Sequence, residues 1–220
     1  MKEEQATGMR DAVKECAMRF NRSAQYYEHH AAIQKQIAFN LVRKIPHSID
    51  GKLYKPDNIL DIGCGTGFVI ESARGRFADA TILGVDNSIG MLAEAKRKFH
   101  RDKQVRFLHQ DARALRLDQF DLVLSSCVLQ WCNPVSDTLS AWSKLVAPRG
   151  LMQVSLMIDG TMGELRAVRR SITPDNLPRV GFISAGSLRE VCSVLGHKIL
   201  GLEVVEYKEE FPSALYALKY

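Results

Sequence analysis

A carboxylate followed by three closely spaced glycines is the pattern in this 220-residue sequence that is best suited to chemistry. Asp61 stands in a short apolar run, and the glycines follow it at positions 63, 65 and 67. Glycine lets a backbone turn tightly and approach a ligand, because it carries no side chain. Apolar residues at 68–70 begin a predicted helix, whose first N–H groups have no partner within the helix. The pattern predicts a nucleotide-binding turn at the carboxyl end of a first parallel strand.

The spacing separates two kinds of nucleotide. A dinucleotide-binding turn reads G-x-G-x-x-G, but Phe68 stands where its third glycine would be. The carboxylate of Asp61 would repel a pyrophosphate, whereas it suits a ligand that bears an ammonium and a sulfonium. We therefore predict a site for S-adenosylmethionine (SAM). A purely structural strand-to-helix turn is the alternative.

Two further acids stand at the ends of the next two predicted strands. Asp86 follows residues 81–85, and at this place in a doubly wound sheet a carboxylate can accept hydrogen bonds from ribose hydroxyls. Asp111 follows residues 104–108 and, with the backbone of Ala112, is placed to bind adenine. The alternative for both acids is a helix N-cap, although Asn87 or Ser88 can cap the next helix while Asp86 binds.

The fourth predicted strand, at 120–125, ends in polar residues. Ligands of open parallel sheets bind beyond the carboxyl ends of the strands, so Ser125, Ser126 and Gln130 are expected to face the reacting methyl group. Trp131 is a candidate for the pocket wall, with a plain core position as the alternative.

These residues need a scaffold that brings strand ends together. Apolar runs predict strands at 58–62, 81–85, 104–108, 120–125 and 151–157, and helical patterns lie between them at 67–77, 88–99 and 135–147. This alternation predicts an α/β fold with a doubly wound, mostly parallel, Rossmann-like sheet. A helix is predicted over 8–45, a linker up to 57, an insertion or lid over 158–183, and a helix at 184–195 followed by a strand at 198–208.

Composition fits one globular domain. Hydrophobic residues make up 46% and charged residues 25% of the chain, as in ordinary soluble proteins. No apolar run is long enough for a membrane span, and no signal peptide is recognisable, so a cytoplasmic protein is expected. The five cysteines are scattered without a C-x-x-C pair, which disfavours a metal site. The net charge of +5 suits nucleic acid, an acidic protein, or a basic face without a partner.

The glycine turn, the acids at 86 and 111, and the proline–glycine turn at 148–150 together resemble the class I SAM-dependent methyltransferase family over residues 56–157. Residues 20–36, 128–132 and 160–165 are similar to the malonyl-acyl-carrier-protein O-methyltransferase family of biotin synthesis. That resemblance implies a single methyltransferase domain whose amino-terminal helix, within 1–45, closes over SAM. It also implies methyl esterification of the free carboxylate of malonyl-acyl carrier protein.

The resemblance implies a role for each matching residue. Asp61 and the three glycines would hold the methionine portion of SAM, Asp86 the ribose, and Asp111 with Ala112 the adenine. Tyr27 would lie over the methyl group, with helix packing as the alternative. The predicted cofactor-binding residues are Asp61, Gly63, Gly65, Gly67, Asp86, Asn87, Met91, Asp111, Ala112 and Ser125.

The predicted substrate site needs a cation but no base, because a malonyl carboxylate is ionised near neutral pH. Arg166, Arg169 and Arg170 lie at helical spacing on one face and would hold this carboxylate or the acidic carrier protein. A solvated basic face is the alternative. The predicted catalytic residues are Tyr27, Gln130, Arg166, Arg169 and Arg170. No metal, nucleic acid or membrane is expected, and the protein is expected to be a monomer.

The sequence departs from the second family at two places. Ser126 replaces an asparagine, and the sequence stops at Tyr220, where relatives continue into a final antiparallel strand. The strand at 198–208 is therefore expected to lack a partner. Three other functions stay open: methylation of a small free acid or other metabolite, SAM binding without catalysis, and dinucleotide-dependent oxidoreduction.

Overall fold

The computed structural model describes residues 18–172 and 182–210. The chain forms two compact units, Met1–Leu156 and Met157–Tyr220. Part of the predicted amino-terminal helix, at 8–17, lies outside the described residues.

The first unit alternates strands and helices. Its described elements are α1 (18–30), α2 (Ala32–Arg43), β1 (Ser48–Ile49), β2 (Lys52–Leu53), β3 (Asn58–Ile62), α3 (Phe68–Arg76), β4 (Thr81–Asp86), α4 (Ile89–Lys98), β5 (Val105–His109), β6 (Phe120–Ser126), a short 3-10 turn (Leu129–Trp131), α5 (Val135–Ser143) and β7 (Val146–Ser155). Strands β3 to β7 form one parallel sheet in the order β5-β4-β3-β6-β7. β1 and β2 form a separate antiparallel hairpin.

The order of the strands in the sheet determines where the candidate site lies. The chain builds outward from β3 through β4 to β5 and then returns to the other side of β3 for β6 and β7. Such a reversal opens a crevice beyond the carboxyl ends of the central strands. The central strands are apolar because helices cover both faces of a parallel sheet, and Leu60, Ile62, Val85, Leu122 and Leu124 have no exposed surface.

Side chains from α3 and from the sheet donate hydrogen bonds to backbone carbonyl groups at the end of helix α2. The guanidinium of Arg76 donates to the carbonyl oxygens of Val42 and Ile45, both at 2.6 Å. The side-chain amide of Gln153 donates to the carbonyl oxygen of Leu41 at 2.9 Å. These bonds satisfy carbonyls that a helix leaves unpaired, and they hold α2 in place beside the site.

The strand predictions at 58–62, 81–85, 104–108 and 120–125 are confirmed within one or two residues. Three details differ. The predicted single helix over 8–45 breaks at Ala31, the linker contains the β1–β2 hairpin, and β7 begins at Val146. The early start of β7 reflects an irregular pairing with β6, in which Phe120 pairs with Val146 and Leu122 with Leu151.

The second unit contains α6 (Gly163–Ile172) and α7 (Ala185–Val194) among its described residues. The hydroxyl of Ser184 caps α7 by accepting from the backbone N–H of Ser187 at 3.0 Å. Residues 198–208, where a strand is predicted, pair with no strand in the described part of the chain. Among the described residues, no helix has the length and apolar character of a membrane span.

Candidate functional site

The glycine turn after β3 has a backbone that only glycine adopts easily. Gly63, Gly65 and Gly67 have φ values of 72°, 54° and 95°. A Cβ at Gly63 would lie 2.1 Å from a methyl carbon of Val128, and one at Gly67 would lie 2.5 Å from the ring of Phe99. At Gly65 nothing lies within 4 Å of that position. Two glycines therefore permit close packing, while the third leaves open space for a ligand.

Asp86 ties this turn to the start of α4. The backbone N–H of Gly65 donates to Oδ2 of Asp86 at 2.8 Å, and that of Ser88 donates to Oδ1 at 2.8 Å. Burial raises the pKa of Asp86, while these two hydrogen bonds act in the opposite direction. The cap of α4 is the hydroxyl of Ser88, which accepts from Met91. Asp86 therefore organises the turn and keeps lone pairs for a ligand.

Asp61 is a buried carboxylate without a compensating group. Its side chain is 1% exposed, and neither oxygen has a hydrogen-bond partner among the described residues. Burial, and next the charge of Asp86, raise the pKa of Asp61 well above its ordinary value. The buried hydroxyl of Thr66 also has no hydrogen-bond partner in the part of the chain that the structure describes. An unpaired buried acid is costly for a folded protein, so this position favours a cationic ligand group.

The side chains of Arg113 and Trp142 donate hydrogen bonds to the turn after β5. Asp111 accepts from the backbone N–H and the Nε–H of Arg113 at Oδ1, at 2.9 and 3.0 Å, and from Nη2 at Oδ2, at 2.6 Å. The hydrogen bonds from Arg113 hold the pKa of Asp111 below its usual range. The indole N–H of Trp142 donates to the carbonyl oxygen of Ala112 at 2.8 Å. Asp111 is therefore an ionised acceptor with a fixed orientation.

A cavity opens where β3, β4, β5 and β6 end. Ten residues predicted for the site line it: Tyr27, Gly63, Gly65, Asp86, Asn87, Met91, Asp111, Ala112, Ser126 and Trp131. The structure thus brings together residues that are far apart in the sequence. The lining residues outside the predicted set are Phe20, Gln34, Ala38, Cys64, Thr66, Phe68, Val69, Val85, Ser88, Gln110, Arg113, Cys127, Val128 and Cys132.

Helix α1 supplies an aromatic wall to this cavity. The ring of Tyr27 stacks on Phe68 with centroids 6.0 Å apart. Phe20 makes edge contacts with Tyr27 at 6.0 Å and with Trp131 at 6.4 Å. Burial raises the pKa of Tyr27 above its ordinary value, so its hydroxyl stays protonated at neutral pH. The wall is apolar with a single neutral hydroxyl.

Three thiols line the cavity, and all are neutral. Burial raises the pKa of Cys127 to about 11 and that of Cys132 to about 12. Burial also raises the pKa of Cys64 well above its ordinary value. Because the thiolate is the nucleophile, these cysteines behave as small apolar side chains.

Four predicted residues lie outside the cavity lining. Ser125 is fully buried and donates to the carbonyl oxygen of Ile62 at 2.9 Å, so its hydroxyl serves the sheet. The side-chain amide of Gln130 donates to the carbonyl oxygen of Cys127 at 2.8 Å, which turns it back on its own loop. Gly67 is the N-cap of α3, and Asp61 lies within the buried strand β3.

The three predicted arginines belong to α6 in the second unit. The guanidinium of Arg166 lies over the ring of Phe182, 5.2 Å from its centroid. The side chains of Arg169 and Arg170 lie outside the described residues. A role for any of the three in binding a carboxylate stays a prediction.

Sequence reasoning missed Gln34, Ala38 and Arg113. Arg113 had a recognisable signal, because a side chain two residues after Asp111 can fold back onto that carboxylate. Gln34 and Ala38 are one helical turn apart in a helix remote from the glycine turn in sequence. Nothing in their spacing relates them to a strand end, so only the tertiary contact reveals them.

Comparison with known proteins gives matches over most of the chain. The family model described as a methyltransferase domain matches residues 59–150. Malonyl-[acyl-carrier protein] O-methyltransferase of Enterobacter lignolyticus is 30% identical over 182 residues, which cover 81% of this chain and 67% of that protein. Proteins with the same name from Priestia megaterium and Bacillus cytotoxicus are 30% and 32% identical over 79% and 80% of this chain. The chain spans 65% and 63% of their lengths.

Solved structures share the fold at lower identity. A chain from the complex between the Haloferax volcanii Trm112 methyltransferase activator and a methyltransferase has a TM-score of 0.68 at 18% identity, covering 89% of this chain and 84% of that one. The plantazolicin methyltransferase BamL, solved in complex with a triazolic desmethylPZN analogue and SAH, has a TM-score of 0.56 at 15% identity, covering 86% of this chain and 75% of that one. Both support the Rossmann-like architecture.

Proposed function

The chain belongs to the class I SAM-dependent methyltransferase family, whose methyl donor is SAM, and from that premise we propose that it esterifies the free carboxylate of malonyl-acyl carrier protein. The methyl ester would be an early intermediate in building the pimelate part of biotin. The observation that carries the proposal is the cavity, because its polar groups come from successive strand ends and its apolar wall comes from α1. The acceptor is suggested by relatives of that name, which match about four fifths of the chain.

The residues at the glycine turn fit SAM in charge and shape. Asp61 does not line the cavity itself, but it stands two residues before Gly63, which does, and it offers a buried, unpaired acid for the ammonium group. The space beside Gly65 leaves the backbone accessible. Each oxygen of Asp86 accepts one N–H and can accept a ribose hydroxyl as well. Asp111, held by Arg113, is the acceptor for the adenine amino group.

The proposed reaction needs positioning more than acid–base catalysis. When bound, SAM supplies an electrophilic methyl group on a positively charged sulfur. The acceptor carboxylate is already ionised at neutral pH, so no protein base has to remove a proton. The hydroxyl of Tyr27 and the thiol of Cys127 are protonated, so neither competes with the acceptor as a nucleophile.

The aromatic wall contributes by excluding water. Three aromatic rings surround the cavity and occupy space that water would otherwise fill: those of Phe20, Tyr27 and Trp131. A carboxylate that loses its water shell in such a site becomes more reactive, and alignment with the donor supplies much of the remaining rate. We propose that one or more of Arg166, Arg169 and Arg170 holds the acceptor or the acidic carrier protein.

The direct test is methyl transfer from labelled SAM to malonyl-acyl carrier protein. Acetyl-acyl carrier protein is the matched control, since it differs by lacking the free carboxylate. We expect label on the malonyl form alone, released as methanol by mild base as for an ester. Transfer to free malonate but not to the carrier form would replace the proposal with a small-acid methyltransferase. SAM binding without transfer to any acid would favour a non-catalytic SAM-binding protein.

A further inference from the structure

Helix α1 completes the cap of helix α4. A helix leaves its first N–H groups without partners, and each needs an acceptor from elsewhere. In α4 the hydroxyl of Ser88 accepts from the backbone N–H of Met91 at 3.2 Å. The N–H of Gly90 instead donates to the side-chain oxygen of Asn21, at 2.6 Å. Asn21 lies in α1, so the cap of α4 depends on where α1 sits.

The missing side chain of Gly90 leaves the space that this contact occupies. A Cβ at position 90 would lie 2.7 Å from the backbone oxygen of Asn21, 2.7 Å from its side-chain oxygen and 3.3 Å from the Cβ of Ala24. Ala24 is 6% exposed. Because one of the clashing atoms is backbone, a side chain at position 90 can be accommodated only if α1 moves.

A second contact lies at the far end of α1. The carboxylate of Glu28 lies 3.2 Å from the ammonium of Lys98, which also pairs with Glu71 at 2.8 Å. Residues 21, 24 and 28 share one face of α1, as their helical spacing requires. Exposed ion pairs contribute little to stability, so the inference rests on the Asn21–Gly90 contact and on the close approach at Gly90.

The contact with Gly90 links α1 to the cavity. Ser88 and Met91, on either side of Gly90, line the cavity, and so do Phe20 and Tyr27 of α1. At the start of α4, Ser88 and Met91 therefore line the cavity, while Gly90 contacts α1. We propose that Asn21 and Gly90 are positioning residues, which fix α1 so that Phe20 and Tyr27 close the cavity. This inference rests on the proposed methyltransferase function and adds the residues that set the aromatic wall.

The test uses two pairs of matched variants of the full chain. Gly90→Ala is compared with Gly75→Ala, since Gly75 is also helical but has nothing within 4 Å of an added Cβ. Asn21→Ala is compared with Asn21→Asp, which keeps an oxygen acceptor at the cap. Replacing a cap acceptor with alanine changes an equilibrium by about 2- to 30-fold, with fivefold as the typical value.

Two measurements report on α1 itself. The first is the rate of tryptic cleavage after Arg19 and Arg22, both exposed on α1, in the ligand-free protein, with fragments identified by mass. The second is the affinity for S-adenosylhomocysteine by calorimetry. We expect Gly90→Ala and Asn21→Ala to be cleaved about fivefold faster and to bind about fivefold more weakly, while Gly75→Ala and Asn21→Asp stay within about twofold of the wild type.

The outcomes separate this inference from the proposed function. Cleavage at α1 in the free protein and binding of S-adenosylhomocysteine need no acceptor, so both can succeed when malonyl-acyl carrier protein is not the substrate. Equal cleavage and affinity in all four variants would overturn the inference. The inference would also be overturned by a second pattern. In that pattern Gly90→Ala binds S-adenosylhomocysteine more weakly and has a lower melting temperature of the core, while the cleavage rate and affinity of Asn21→Ala are unchanged.

Discussion

Replacing Asp61 with asparagine is expected to stabilise the ligand-free protein at neutral pH and to weaken its binding of SAM. The side chain of Asp61 is 1% exposed, and both of its oxygens lack a partner among the described residues. Burial and the nearby charge of Asp86 raise its pKa well above the ordinary value. The ionised form is therefore a cost in the free protein that a cationic ligand group removes.

The sign of the pH dependence follows from the raised pKa. A group whose pKa is higher in the folded state favours folding below its unfolded pKa, and this contribution is lost as the pH rises through the folded pKa. Each unit of elevation corresponds to about 1.4 kcal/mol once the pH exceeds the folded pKa. The wild type should therefore lose stability relative to Asp61→Asn as the pH rises from about 4.

Asparagine keeps the cost of a neutral buried polar group without a partner and removes only the additional cost of the charge. We take this additional cost as about 1–3 kcal/mol. In a chain of this length 1 kcal/mol shifts the melting temperature by about 2–4 °C. Asp61→Asn should therefore melt roughly 2–12 °C above the wild type at pH 8, with a difference that shrinks towards pH 4.

The assay is thermal unfolding of the ligand-free protein between pH 4 and 8, followed by calorimetric titration with SAM. Asp118→Asn is the matched control, because it makes the same charge change at an exposed position. We expect Asp118→Asn to follow the wild type, and Asp61→Asn to bind SAM about 10- to 100-fold more weakly, as for a lost bond to a charged group. The reasoning is refuted if Asp61→Asn is no more stable than the wild type at pH 8, or binds SAM equally well.

Three other substitutions test other parts of the site. Asp86→Ala removes an acceptor of two loop N–H groups and of the ribose, so calorimetry should show SAM affinity at least about 100-fold lower; unchanged affinity would remove Asp86 from the site. Gly63→Ala should cost about 1–3 kcal/mol in thermal unfolding, because its Cβ would lie 2.1 Å from Val128, and Val128→Ala should recover part of this loss. Tyr27→Phe should lower the rate of methyl transfer about fivefold while SAM affinity changes less, and equal turnover would exclude a role for its hydroxyl.

The core of the site was predictable because parallel strands impose a simple geometry. Asp61, Asp86 and Asp111 each mark the end region of an apolar run, and the carboxyl ends of parallel strands share one edge of a sheet. The period of apolar residues predicted the strands, and the glycine spacing disfavoured a dinucleotide turn. What each acid bonds to was not predictable from spacing. Asp86 holds Gly65, and Asp111 holds Arg113.

Spacing alone does not decide the structure of a segment that depends on a distant partner. Residues 198–208 have the apolar character of a strand, but a strand forms only against a neighbour, and no described segment pairs with them. The polar tip of β6 is a second case. Ser125 lies at the right strand end but its hydroxyl is bonded to Ile62 on the neighbouring strand. Alternation along β6 decides which side chains face the cavity, and that requires the register of the sheet.

The sequence by itself determined the fold class, the glycine turn and the acids at three strand ends, because these follow from local periodicity and from the conformational freedom of glycine. The tertiary structure decided which helices close the cavity, since α1 and α2 reach it through contacts that no spacing encodes. It also decided the charge states, because the pKa of Asp61 rises through burial and through Asp86, a neighbour 25 residues away in the sequence. Burial and proximity are properties of the packed chain, and they are what turn a recognisable motif into a site.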